Sequence, residues 1–163
     1  MSENSKYYKI LILSIVLALL FKIINIGLIT IILIFLFFFV LLYIAFFAIT
    51  NALFIKYIYM NEKHNKPLFY FSCSSFFLSS FLMPDFDDGG DSFAFFRIYI
   101  PNKLADALLF VAASFILLTI VSTFIILIKN ICYRIKIKKD LKEDEENQKQ
   151  NNNCLDISEI PFE

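Results

Sequence analysis

The stretch that decides the fold is ILILSIVLALLFKIINIGLITIILIFLFFFVLLYIAFFAITNALFI, residues 10–55. As one continuous α-helix it would be about 69 Å long at 1.5 Å per residue, more than twice the roughly 30 Å hydrocarbon core of a bilayer. It must therefore fold back, and the polar break KIINIG at residues 22–27 contains the turn-forming Asn and Gly. The pattern predicts two membrane spans, residues 10–26 and 28–50, joined by a tight turn.

Two further apolar segments follow. Residues 68–83, bracketed by Pro67 and Pro84, would form a helix of about 24 Å, which is short but can span a locally thinned bilayer. A re-entrant segment or an interfacial helix is the alternative. Residues 104–128 are the clearest span, and Asn102 before them is a suitable N-cap.

Composition agrees with a membrane protein. The 163 residues are 59% hydrophobic and only 18% charged, with no formal net charge, whereas soluble domains are roughly 45–50% apolar and about 25% charged. Such values argue against a soluble enzyme, a disordered chain or a nucleic-acid binder, and three cysteines do not make a disulfide scaffold. We therefore predict an all-α membrane protein, a compact bundle of four transmembrane helices with a short third one. The membrane domain would cover residues 1–133 and a charged, largely disordered cytoplasmic tail residues 134–163.

Basic residues predict the orientation. Twelve of the 15 Lys and Arg lie in the N-terminus, the 51–67 loop and the C-terminal tail, which four spans place on one side. The positive-inside rule makes that side cytoplasmic, so both termini face the cytoplasm and the outer loop, residues 84–103, faces outward. In a prokaryote the protein would lie in the inner membrane. The N-terminus also resembles a signal peptide without a cleavage site, and a three-span reading with an external mature N-terminus stays open.

Polar residues within the spans predict which helix faces meet. Ser14, Lys22 and Asn25 lie on one stripe of the first span. A second stripe, in the third span, comprises Ser72, Ser75 and Ser79. Small hydroxyl residues suit close helix contacts in lipid, so we interpret both stripes as helix interfaces.

A possible charge pair lies at the outer ends of the spans. Asp106 in the fourth span is at the same depth as Lys22 in the first, and the two should pair if these spans are neighbours. A different interpretation makes Lys22, Asn25 and Asp106 the lining of a polar pathway between chains of an oligomer.

The outer loop has two unusual halves. DFDDGGD, residues 85–91, is a weak calcium candidate or simply a solvated acidic turn, and it contains Asp85, Asp87, Asp88 and Asp91. SFAFFRIYIP, residues 92–101, suits a segment at the membrane surface or a contact with a partner. Its candidate contact residues are Phe93, Phe95, Phe96, Arg97 and Tyr99.

The sequence contains no phosphate-binding Gly-rich loop, zincin motif or nucleophile elbow. We therefore expect neither catalysis nor a cofactor, and no metal site beyond the weak calcium candidate. The expected function is protein–protein contact, as a subunit of a membrane complex or an immunity-type factor. An oligomeric transporter or channel component is the alternative. Expected partners are the lipid bilayer and another membrane protein or a second copy, not nucleic acid.

Overall fold

The computed structural model describes residues 4–24, 31–32, 37–86, 92–95 and 98–157. Helices dominate this part of the chain, and they are α1 (Asn4–Ile24), α2 (Phe37–Ile55), α3 (Glu62–Leu82) and α4 (Asn102–Ile157). A 3-10 helix, Ile58–Asn61, connects α2 to α3. The strands β1 (Asp85–Phe86), β2 (Ser92–Ala94) and β3 (Ile98–Ile100) connect α3 to α4.

Among the described residues, three helical segments are long and apolar enough to cross a membrane: Asn4–Ile24, Phe38–Ile55 and Asn102–Glu146. They overlap the predicted first, second and fourth spans. The prediction of a mostly helical protein is therefore confirmed, and three of its helices are long and apolar enough to span a membrane. The turn predicted around Asn25 and Gly27 lies outside the described residues.

The third helix is longer than predicted. α3 begins at Glu62, not at residue 68, and its 21 residues measure about 32 Å. Pro67 lies inside it. Because Pro67 is in the second turn, its missing N–H costs the helix only the bond to the Lys63 carbonyl. The first turns of α3 are polar, and the helix contains repeated serines. For this reason α3 is not counted among the helices that are apolar enough to cross a membrane.

The fourth helix extends far beyond the predicted span. α4 is 56 residues long and continues to Ile157, so the tail predicted as largely disordered is helical up to that residue. Strong helix formers fill this region, and Lys139 lies 3.5 Å from Glu143 in an i,i+4 ion pair. Such pairs add a few tenths of a kcal/mol to an exposed helix.

The all-α prediction also needs a correction in the outer loop. β1, β2 and β3 form an antiparallel sheet in that order. Asp85 is opposite Phe93, and Phe93 is opposite Tyr99. Residues 92–94 and 98–100, within the segment predicted to lie at the membrane surface or to contact a partner, are thus strands.

Each long helix packs mainly against two others: α3 lies against α1 and α4, and α2 lies against the same two. Stacked rings of Phe47 and Phe76, with centroids 4.2 Å apart, occupy the core. The outer surfaces are apolar instead of polar, as Phe38 and Phe110 show with 72% and 76% exposure. Surfaces of this kind are suited to lipid rather than water.

Candidate functional site

The small sheet lies where α3 ends and α4 begins. Its central strand β2 is buried along its whole length. Ser92 Oγ donates a hydrogen bond to Asn102 Oδ1 at the start of α4, over 3.0 Å. The Phe95 ring lies 5.2 Å from that of Phe81 near the end of α3, and Phe81 in turn lies 4.9 Å from Phe21 of α1. Side-chain contacts therefore join the sheet region directly to α4 and α3, and Phe81 connects it to α1.

The turn between β2 and β3 uses an unusual backbone conformation. Phe95 has a φ of 48°, in the left-handed region that costs a non-glycine residue about 1 kcal/mol. Because the ring of Phe95 packs on Phe81, the aromatic contact offsets this cost and fixes the direction in which β3 leaves the turn.

A buried carboxylate lies at the start of the sheet. The Asp85 side chain in β1 is fully buried and its Oδ1 accepts a hydrogen bond from the Phe86 backbone N–H at 2.9 Å. Asp85 is near enough to Lys22, whose Nζ is also buried, to interact with it electrostatically. Asp106 is exposed on α4, and the main neighbours of α1 are α2 and α3. Among the described residues, the predicted ion pair between Lys22 and Asp106 therefore does not form.

The calcium candidate falls mostly outside the described residues, since these include Asp85 but not Asp87, Asp88 or Asp91. In the part that is described, no three His, Cys, Asp or Glu side chains converge in a way that could hold a metal ion.

The candidate contact residues separate into buried and exposed ones. Phe93 is buried in β2, with 2% of its surface exposed. Tyr99 and Ile98 on the edge strand β3 are 65% and 58% exposed. Phe96 and Arg97 lie outside the described residues. The sheet thus presents one rigid edge carrying two large exposed side chains.

The predicted hydroxyl stripes lie in the interior. Ser14, Ser72, Ser75 and Ser79 are all buried. The Ser14 hydroxyl donates to the Leu11 carbonyl at 2.8 Å, and the Ser79 hydroxyl donates to the Phe76 carbonyl at 2.7 Å. Asn25, which completes the first predicted stripe, is outside the described residues.

A polar cluster at the opposite end of the helices was not predicted from the sequence, and we call it the inner cluster after the predicted orientation. Asn65 is fully buried; its Nδ2 donates to the Tyr57 carbonyl at 2.9 Å, and Lys129 Nζ donates to its Oδ1 at 2.9 Å. The Tyr133 hydroxyl lies 3.0 Å from Asn65 Nδ2. One amide therefore joins α3 to α4 and to the α2–α3 connection. The only sequence signal was the position of these polar residues just beyond the apolar segments.

Two more buried amides lie near this cluster, and one of them connects two helices. Asn130 Nδ2 of α4 donates to the Thr50 carbonyl of α2 at 3.0 Å. Asn51 Nδ2 donates to the Phe47 carbonyl of its own helix at 2.9 Å. α2 continues to Ile55, five residues past the end of the predicted span.

An open groove lies beside the inner cluster, between the α2–α3 connection and the extension of α4. Its lining is apolar and basic and comprises Tyr57, Arg134, Ile135, Ile137, Lys138 and Leu141. The Tyr57 ring lies 5.6 Å from that of Tyr133. On nearby α3, Lys66 Nζ donates to Glu62 Oε2 at 2.6 Å, and this hydrogen bond raises the pKa of Lys66.

No protein-family model, no curated protein and no solved structure matches this chain.

Proposed function

We propose that this chain is a small polytopic integral membrane protein that acts through protein–protein contact, without catalysis. It would serve as a subunit of a membrane complex or as an immunity-type factor that blocks another membrane-active protein. In this proposal all four helices cross the bilayer as one bundle. The length of α3, 21 residues, and its position against both α1 and α4 support a fourth span, because neighbouring helices shield its serines from lipid.

The proposed orientation places both termini in the cytoplasm and the sheet outside. Its support is the distribution of basic residues, since Lys129, Arg134, Lys136 and Lys138 follow directly on the apolar part of α4. In a prokaryote the membrane would be the inner one.

The observation that carries the contact function is the exposed edge of the sheet. Among the described strands β3 pairs with β2 on one side only, so its other side offers backbone N–H and C=O groups to an added strand. The exposed Tyr99 is of a residue type enriched at interface hot spots. Because Ser92 and Phe95 anchor the sheet to the helices, little conformational entropy is lost when a partner binds.

The test is purification in mild detergent of the wild-type chain and of Ile98→Ser/Tyr99→Ser, followed by mass spectrometry of co-purifying proteins. We expect the double variant to lose its membrane partner at least tenfold relative to wild type. Met60→Ser is the matched control, since Met60 is also an exposed apolar residue, 42% exposed, but lies in the inner connection. Equal recovery of one partner by all three proteins would contradict a contact through β3.

The second candidate function is an oligomeric transporter or channel component with a polar pathway near Lys22, Asn25 and Asp106. One observation favours it: Lys22 Nζ is buried without a hydrogen-bond partner among the described residues, as expected of a group that binds a transported ion or ligand. Flux of ions into vesicles containing the purified protein would separate the two functions. Lys22→Met/Asp106→Leu should abolish transport and spare partner capture, and flux preserved in that variant would exclude this pathway.

A further inference from the structure

The groove beside the inner polar cluster combines charge with apolar surface. Arg134 and Lys138 are one turn apart on α4, and Ile135, Ile137 and Tyr57 complete most of the lining. We infer that this groove binds the phosphate headgroup of an anionic phospholipid from the cytoplasmic leaflet. The inference goes beyond the proposed contact function, which concerns the opposite end of the molecule, but it shares its orientation in the membrane.

One wall of the groove is held in place before any ligand arrives. The Tyr57 carbonyl accepts a hydrogen bond from Asn65, and the Tyr57 ring packs against Tyr133 of α4. Asn65 is also bound by Lys129, so the α2–α3 connection and α4 are tied together at this level. A wall fixed in this way loses little entropy when the headgroup binds.

The cations of the groove are available, whereas several of their neighbours are engaged. Lys66 is paired with Glu62, Lys139 with Glu143, and Lys129 with the Asn65 amide. Within the described residues, Arg134 and Lys138 have no carboxylate partner and both are exposed. Arg offers the planar donor pair that matches a phosphate, and Lys adds a second charge on a flexible stem.

The groove lies at the depth of the lipid headgroups. The apolar part of α4 ends at Ile128, and Arg134 is about 9 Å further along the helix axis. Interfacial layers are roughly 5–8 Å thick on each side of the hydrocarbon, and Arg and Lys reach back toward the membrane along their own stems. Tyr57 is of a residue type that favours this layer.

The experiment uses the full chain in neutral detergent and counts lipids retained per chain by native mass spectrometry. The probes are phosphatidylglycerol and, as a neutral lipid, phosphatidylcholine. Wild type should retain one phosphatidylglycerol that phosphatidylcholine does not replace. Arg134→Gln/Lys138→Gln should weaken the retention of phosphatidylglycerol about 30-fold, because the loss of each cation should weaken it roughly fivefold.

The matched control is Lys136→Gln/Lys139→Gln, which removes the same charge from the same helix outside the groove lining. All four side chains are exposed, so neither variant should lose helicity, and circular dichroism checks this. The control should weaken retention less than threefold. Equal weakening in both variants would reduce the effect to general surface charge and overturn the site.

Two further results complete the test. Displacement of the lipid by millimolar inorganic phosphate would assign the groove to a soluble phosphate compound and overturn the lipid assignment. Ile98→Ser/Tyr99→Ser should leave lipid retention unchanged, so failure of the outer contact surface and failure of the lipid site are distinguishable. Wild-type protein without preference for phosphatidylglycerol would also overturn the inference.

Discussion

Asn65 shows how much a single side chain can contribute inside an apolar protein. Its amide contacts the Tyr57 carbonyl, Lys129 and the Tyr133 hydroxyl, which belong to two other segments of the chain. A buried polar group costs free energy unless it is hydrogen-bonded, and here one residue satisfies several others. Loss of Asn65 would leave the Tyr57 carbonyl and the Lys129 ammonium without this partner.

We predict that Asn65→Ala lowers the free energy of unfolding by about 2–3 kcal/mol, because buried polar partners are left unsatisfied. Thermal unfolding followed by circular dichroism in detergent measures the change. Asn61→Ala is the control: Asn61 is exposed, precedes α3 and makes no side-chain capping hydrogen bond, so its replacement should change stability by less than about 0.5 kcal/mol. Similar losses in both variants would contradict the role assigned to Asn65.

The contacts of individual residues could be predicted from the sequence only within one helix, where the spacing of residues determines which of them share a face. Periodicity along one helix indicates which residues share a face, but it does not tell which other element that face meets. Lys22 was expected to pair with Asp106 because the two match in depth, but Asp106 is exposed on α4 whereas Lys22 Nζ is buried. The partners of Asn65 lie at sequence separations of up to 68 residues, so no local pattern could identify them.

Among the helices, α4 shows most plainly which face is buried. Ala105, Ala112, Thr119 and Ile126 recur every seven residues and are each at most 1% exposed. Small side chains along such a seam allow close approach of helices in lipid, where packing replaces the hydrophobic effect as the driving force.

We predict that Ala112→Leu destabilises the protein by about 1–3 kcal/mol, because the seam has no room for the added carbons. The adjacent Ala113 is exposed, which makes Ala113→Leu a control with the same change in composition. It should alter stability by less than about 0.5 kcal/mol. Unfolding in detergent compares the two variants, and a larger loss for Ala113→Leu would mean that the face is assigned wrongly.

The contact between α2 and α3 offers a second prediction at this scale. Phe47 and Phe76 stack with ring planes 10° apart, and we expect Phe76→Ala to cost about 2 kcal/mol. This is below the value for a soluble core because lipid is as apolar as the interior, so that mainly packing is lost. A double-mutant cycle with Phe47→Ala should give a coupling of about 1 kcal/mol. Phe110→Ala, at a lipid-facing position, should be nearly neutral, and additive losses of Phe47 and Phe76 would exclude the stacking interaction.

The elements differ in how far the sequence could predict them. Long apolar segments indicate helices directly, and α1, α2 and α4 overlap the predicted spans. The strands of the outer loop have two or three residues each, too few for a period-two pattern to be distinguished from an irregular loop. α3 begins earlier than predicted because a proline close to a helix N-terminus is compatible with the helix, so Pro67 is not the boundary that it resembled.

At the scale of the whole molecule, α3 is the polar helix that its neighbours cover. It carries buried Ser72, Ser75 and Ser79 and contacts both α1 and α4. Apolar surfaces on α1, α2 and α4 therefore face outward while the polar seam stays inside. This arrangement explains how a helix too polar to be counted as a span by hydropathy can still belong to the membrane domain in our proposal.

The proposed orientation makes a prediction about accessibility from the two sides of the membrane. In a background with Cys132→Ser and Cys154→Ser, Tyr99→Cys should react with an impermeant maleimide added to intact cells, because Tyr99 is exposed on the outer sheet. Native Cys132 is exposed just beyond the apolar part of α4 and should react only after the membrane is opened. Cys73 is buried and should react in neither condition, which makes it the internal control.

These labelling outcomes distinguish four spans from three. If α3 did not cross the bilayer, the segment before α4 would lie on the same side as the α2–α3 connection, and α4 would then carry the C-terminal tail to the other side. Tyr99→Cys and a probe at exposed Met60→Cys would in that case react from one side, and Cys132 from the opposite side. With four spans, Met60→Cys and Cys132 must instead react from the cytoplasmic side and Tyr99→Cys from the outer side. The reason is that only an additional crossing by α3 separates residues 60 and 99.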